Sequence, residues 1–362
     1  RLLAALATHA LDVVLADADR TSPEAVSQTL QLLGTSDVPV QRRLAPTLHD
    51  EALGNAIMDA PVALGALPIS NGPPAAFDGP FGLAVVGSDP RPSLTRIEAL
   101  ETPLPVLVAS AKGYGLAGVG DGRSAIVRRQ PLISNVNGEP APAMALEALR
   151  LAVGAGNYVL RSSDAGAETT GGAEPVLTEV RLGPLQIPVS PDGTLWIRYA
   201  GSQPARTVSA WRLLDGAQPD PSLRREIEGR IVLIAATAPG LRYLAATPMG
   251  TGVDAVEVQA EMLEQILTGV SLSRPDWAPG LEGLAIVVAG VLALALINGR
   301  SAAFGAAVVI VLSAGLLGAS WYAFAERSLL ISPLAPMGTM LLSYMVLTGI
   351  NYLRTAEQGR VV

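Results

Sequence analysis

Apolar residues follow two regimes along this chain. Over residues 1–278 they form short runs broken by charges, Gly and Pro; beyond residue 278 they dominate. In the first regime, Leu2, Leu3, Leu6 and Ala10 recur at helical spacing and predict a helix over residues 2–11. A short buried strand over 13–16 is expected next, ending in Asp17 and Asp19. Thr21-Ser22-Pro23-Glu24 predicts a helix start: a hydroxyl cap, Pro at the first position, and an acid near the positive end of the dipole. That helix runs to about Gly34. Residues 47–60 predict another helix, and 62–67 a strand. Residues 105–110, an apolar run with two valines, predict a strand, as do 125–133, which carry Arg128 and Arg129. Residues 142–154 read as helix, 162–174 as an exposed Ser/Gly/Ala/Thr loop, and 195–199 as strand. Ile231-Val232-Leu233-Ile234, within 229–236, is the strongest buried-strand pattern in the chain. Residues 256–269 predict an amphipathic helix, with Val256, Ala260, Leu263 and Leu267 on one face and Glu257, Glu261 and Glu264 on the other. Alternating helices and strands predict an α/β fold with a substantially parallel sheet.

The second regime is lipid-like. Ala302 to Phe324 is 23 residues without a charge, and Leu334 to Tyr352 is 19. At about 1.5 Å per residue, each can cross a hydrocarbon layer of ~30 Å. Leu281 to Ile297 forms a third candidate, with Glu282 at the interface. The predicted organisation is an α/β extracytoplasmic domain (1–278), a three-helix transmembrane region (279–353) and the start of a cytoplasmic linker (354–362). Residues 1–278 carry 21 basic and 29 acidic side chains, whereas 279–353 carry two of each. Arg300 lies in one connection, and Arg354 and Arg360 follow the last span, so the positive-inside rule puts them in the cytoplasm and residues 1–278 outside. Trp277 and Trp321-Tyr322 are expected at the outer interface.

Composition narrows the chemistry. The 362 residues are 49% hydrophobic and 16% charged, and the mean hydropathy is +0.39. The absence of Cys excludes disulfides, zinc–cysteine sites and thiol nucleophiles, and two histidines, His9 and His49, leave little for a metal centre. A net charge of −7 argues against a nucleic-acid partner. The chain opens on Arg1-Leu2-Leu3 rather than Met, so a preceding segment is expected.

Several motifs invite a functional reading. Gly113-Tyr114-Gly115-Leu116-Ala117-Gly118 matches the dinucleotide fingerprint, but Val119-Gly120-Asp121-Gly122 follows where a helix should open, so a turning loop is favoured. Asp12, Asp17 and Asp19 surround a strand end; they suit Mg²⁺, or turns and caps. Arg128-Arg129 in a strand suits an anionic ligand, or pairing with the domain's excess acids. No Gly-x-Ser-x-Gly elbow, Walker loop or His-Glu-x-x-His occurs, so neither catalysis nor a cofactor is expected of this chain.

Order and spacing of several stretches add a family resemblance. They are Asp121-Gly122, Val127-Arg128-Arg129-Gln130-Pro131-Leu132, Asp192-Gly193-Thr194-Leu195-Trp196-Ile197-Arg198-Tyr199-Ala200-Gly201, Gly229-Arg230-Ile231-Val232-Leu233-Ile234, Val256-Glu257-Val258-Gln259-Ala260 and Leu272-Ser273-Arg274-Pro275-Asp276-Trp277. Together they resemble the CHASE-type extracytoplasmic sensory domain, second type, which precedes three transmembrane helices in bacterial receptors. The resemblance implies an N-terminal membrane anchor, location in the bacterial inner (plasma) membrane, and a cytoplasmic output domain, commonly a class III adenylate/guanylate cyclase. It departs at Ala235, where the family often has Gly, near Tyr243, where it often has Asp, and at Gln259, where His is also common. Arg128, Arg129 and Tyr243 are the candidate contacts for an unknown extracytoplasmic ligand. Expected partners are the lipid bilayer and a second copy or another membrane protein, since Gly305-Ala306, Ser313-Ala314-Gly315 and Gly318-Ala319 permit close helix approach. The alternative role is a non-catalytic subunit docking on a larger membrane complex.

Overall fold

A computed structural model describes residues 8–12, 49–74, 76–120, 122–165, 175–201, 203–214, 221–237, 242–275 and 277–358. It divides into two compact units, Arg1–Ser271 and Leu272–Val362.

Strands β1 (Thr8–Asp12) and β2 (Val62–Pro74) begin the first unit, with helix α1 (His49–Met58) between them in sequence. Next come β3 (Gly82–Val86), β4 (Arg96–Ile97), β5 (Ala99–Glu101), α2 (Pro105–Ser110) and β6 (Gly113–Leu116). Then follow β7 (Arg129–Pro131), β8 (Ile133–Val136), β9 (Glu139–Pro142), α3 (Met144–Ala152), β10 (Asn157–Ser162), β11 (Leu177–Leu182), β12 (Leu185–Pro188) and β13 (Thr194–Trp196). The unit closes with β14 (Ile231–Ala235), β15 (Leu244–Thr247), β16 (Gly250–Asp254) and α4 (Ala255–Thr268).

The central sheet is parallel, in the order β14-β1-β2-β6. Past Ala66, β2 leaves it and pairs antiparallel with β5, Leu67 facing Glu101. A second sheet runs β12-β11-β10-β3. Alternation along β10 and β11 turns Tyr158, Leu160, Val180 and Leu182 inward, onto α3 and α4, and a register shift between Arg161 and Ser162 brings Leu177 to the same core. A separate core packs Ile57 of α1 and Leu107 of α2 against Val62, Leu64 and Tyr114 of the parallel sheet.

Several expectations change here. Thr8–Asp12 is a strand, not the end of a helix; pairing on both sides by β14 and β2 overrides its helical spacing. The strand expected over 13–16, the helix from Thr21, Asp17 and Asp19 lie outside the described residues. Residues 105–110 are helical: Pro105 sits in the first turn, where a missing N–H is harmless. A six-residue apolar run does not distinguish strand from helix. Gly113–Leu116 of the glycine run is strand, and the loop expected of the run starts only at Ala117. An added Cβ at Gly113 would stand 2.9 Å from Glu147 Cγ, and at Gly115 2.8 Å from Met144 Cα, so the glycines let α3 lie directly on β6. β14 forms as expected but is only half-buried, because it stands at the edge of its described sheet.

α4 is rotated from its expected phase. Val258, Met262, Leu263 and Ile266 are buried while Leu267 is 56% exposed, and Glu261 turns inward together with Gln259 and Gln265. These polar groups hold backbone. Gln265 accepts from Arg198 N (2.8 Å) and donates to Trp196 O (2.8 Å), and Glu261 accepts from Ala200 N (3.2 Å). They replace the ladder that residues 197–200 lack; the strand expected over 195–199 stops at Trp196. Burial raises the Glu261 carboxyl above the ordinary range, with Glu264 and Glu257 adding to the rise against the Ala200 amide and Arg206.

Under α3 lies a buried ionic cluster. Arg150 donates to both Glu147 oxygens (2.9 and 2.7 Å) and to the carbonyls of Ala155 and Lys112, and Tyr158 donates its hydroxyl to Glu147. Burial alone would lower the Arg150 pKa, but Glu147 more than reverses this, and burial pushes the Tyr158 phenol well up.

The second unit holds three helices long and apolar enough to cross a membrane: α5 (Ala278–Ile297), α6 (Ala302–Arg327) and α7 (Leu334–Gln358). They contain the expected spans, and α6 and α7 run beyond Phe324 and Tyr352. Ser301 caps α6 by accepting from Phe304 N (3.4 Å). Ala289, Ala293, Val309, Met340 and Leu347 form their shared core. Gly305 leaves room for Tyr344 and Ile297, whereas Gly315 and Gly318 face open space. At one end, Ser273 donates to Ser328 O (3.0 Å) and accepts from Leu330 N (2.9 Å). Glu282 joins Arg274 (2.8 Å) to Ser332 N (2.8 Å). The segment entering the helices is thereby tied to the α6–α7 connection.

Candidate functional site

Parallel sheets open a crevice beyond the carboxyl ends of their strands, because the following segments diverge there. The first unit has such an opening. Residues 67–70 after the parallel part of β2, 116–120 at and after the end of β6, and 243–244 downstream of β14 line a cavity of about 650 Å³. Residues 95–98, Gln130, Ser134 and Ala255 complete its wall. The volume falls in the range of small-molecule pockets.

Two buried glutamines shape one side. Gln130 accepts from Gly120 N (2.7 Å) and donates to Gly118 O (2.7 Å), closing both ends of its amide on the glycine run. Gln259 of α4 donates to Gly118 O (3.2 Å), so one carbonyl takes two amides. Apolar area comes from Leu67, Ile69, Leu116, Val119 and Leu244. Ser134 lines the cavity and is 1% exposed; its Oγ, like Gln259 Oε1, is buried with no hydrogen-bond partner among the described residues. A buried polar atom left unpaired costs about 1–3 kcal/mol, a deficit that a bound molecule would offset.

Tyr243 stands on the cavity wall, 53% exposed. Arg128 and Arg129 do not line it. Arg128 is exposed and donates to Ser124 Oγ (3.4 Å). Arg129 lies over the Trp196 ring at 5.1 Å, with Asp192 at 3.6 Å. Asp192 also takes Arg123 (2.5 Å) and the Thr194 hydroxyl (2.6 Å). Burial works to raise the Asp192 carboxyl, but the Thr194 bonds and the two guanidinium groups outweigh it and hold it below the usual range. Arg129, Arg123 and Asp192 form an ion-pair network beside Trp196; among the described residues, Arg128 takes no part in it.

Asp12 ends β1 at the same edge of the sheet. No group of three His, Asp or Glu positioned for a metal occurs among the described residues. The dinucleotide reading fails, since Gly113–Leu116 is strand and no helix opens after it.

Sequence reasoning singled out neither Gln130, Ser134, Arg96 nor Glu98. A signal was present in Gly115, where an added Cβ would stand 2.8 Å from Met144 Cα.

A family model described as CHASE2 domain matches residues 1–296. The chain belongs to the CHASE2 family. No curated protein and no solved structure matches it. The CHASE2 match takes in the whole first unit and reaches into α5, so the family pattern includes the step from α/β domain to apolar helix. CHASE2 is a sensory domain family, and here its sensory unit is joined to helices suited to a membrane anchor.

Proposed function

We propose that this CHASE2 chain is the sensory and anchoring part of a bacterial inner-membrane receptor, with residues 1–278 outside the cytoplasm and a class III adenylate/guanylate cyclase as cytoplasmic output. One observation carries the reading: the cavity with its unpaired Ser134 hydroxyl shares a wall with α4, through Ala255, and α4 leads along the chain into α5. A ligand that fits one position of Ala255 better than another shifts the population of α4 positions by that difference in affinity. The small residues of α6 that face open space suit a second copy of the chain, the arrangement a dimeric cyclase needs.

The test is cyclase turnover of the complete reading frame in proteoliposomes, comparing the parent with a form lacking residues 1–278 and with Ser134→Leu, which fills part of the cavity. Turnover should differ severalfold among the three. Equal turnover in all of them defeats the receptor reading; a reading frame without an output domain favours the docking subunit.

A further inference from the structure

We propose that the cavity takes a zwitterion, an apolar amino acid or a short peptide with free carboxylate and ammonium groups; this rests on the cavity being the signal site. Among its described lining residues, Arg96 is the one cation and Glu98 the one anion. Arg96 opens β4 and Glu98 follows it, and both border the cavity, while Ile97 between them also packs on the α1–α2 core. Both are exposed, and neither takes part in an ion pair among the described residues. Two positions along extended chain is ~7 Å, a spacing suited to the two ends of a small peptide rather than to one charged group. Arg96 offers a planar fork to the carboxylate and Glu98 accepts from the ammonium. Leu67, Ile69, Leu116 and Leu244 receive an apolar side chain.

Other ligand classes fit less well. A dicarboxylate or a phosphate ester wants two or more cations, where Arg96 stands alone among the described lining residues. A sugar wants several hydroxyl partners and an aromatic platform; Tyr243 is the one aromatic side chain among them. A fatty acid would leave Glu98 opposite nothing.

The full chain in lipid nanodiscs is titrated with L-leucine and tri-alanine, against isovalerate, isoamylamine, succinate and glucose, with thermal unfolding and calorimetry as readouts. The zwitterions should raise the unfolding midpoint by a few degrees at saturation, and the single-charge analogues should not. Arg96→Ala and Glu98→Ala, both exposed and therefore tolerant of change, should each weaken zwitterion binding about tenfold or more. No shift with either zwitterion, or equal binding by both variants, overturns the proposal. A shift with succinate or glucose instead would sink the zwitterion class while leaving the cavity as the signal site. If no compound of a broad metabolite set shifts the midpoint of the parent chain, the signal-site reading falls as well.

Discussion

Leu160 and Leu284 show how differently the two units treat the same side chain. Leu160 in β10 is fully buried, whereas Leu284 in α5 is 60% exposed to whatever surrounds the helix. Polar groups run the opposite way: Glu147, Arg150, Gln130 and Gln265 are buried in the first unit, each with partners, while α5 carries a single acid, Glu282, near its start. Aqueous folding hides apolar surface and makes an unpaired buried polar atom costly, so most buried polar atoms are paired. A helix in lipid gains nothing from hiding Leu, so it displays it. The difference teaches that one chain is written for two solvents, with the boundary near residue 272.

The largest effect should come from Arg150→Met, which leaves Glu147 buried without its partner. Chemical denaturation of the first unit should show a loss of about 3–5 kcal/mol. A loss under about 1 kcal/mol would mean the cluster is hydrated and the core is not as dry as drawn.

A matched pair sharpens the contrast. Val287 in α5 and Val85 in β3 are both exposed, at 62% and 39%. Val287→Asp should disfavour membrane insertion by about 2.5–3.5 kcal/mol in a translocon assay. Val85→Asp should change the stability of the first unit by about 0.5 kcal/mol or less. Similar small effects at both positions would erase the two-solvent picture.

The smallest effect is a pH dependence confined to the first unit. The Asp192 pKa is lowered on folding, so its contribution is complete above the ordinary carboxylate value of ~3.9 and is lost as the pH falls through the folded value. Asp164, held at about 2 by hydrogen bonds from Ser162 and Ser88, acts in the same direction. Hydrogen exchange below pH 4 should quicken around β10 and β13, and Asp192→Asn should flatten that acid limb. An unchanged acid limb in the variant would show that other carboxylates control it.

Much of the plan was legible along the chain. The three apolar helices, the helices at His49–Met58, Met144–Ala152 and Ala255–Thr268, the strand at Ile231–Ala235 and the first half of Val62–Pro74, expected over 62–67, all follow from periodicity and length. The misses share a cause. Gly113–Leu116 has poor intrinsic strand preference and is strand because α3 lies against it. Glu261 and Gln265 look solvent-facing by helical phase, yet they turn inward to serve backbone groups far along the chain, near residues 196–200. Arg128 and Arg129 drew notice as neighbouring cations, but one is exposed and the other belongs to Asp192 and Trp196.

By itself the sequence determined which stretches meet lipid, which meet water, and which family pattern they spell, because solvent preference and local period are properties of neighbouring residues. Only the tertiary structure decided where β2 parts from β6, that Gln130 and Gln259 converge on Gly118, and that Arg96, Glu98 and Ser134 border one space. A cavity is made by residues 67–70, 95–98, 116–120, 130–134, 243–244 and Ala255 arriving together, and nothing local in any of these segments encodes the others.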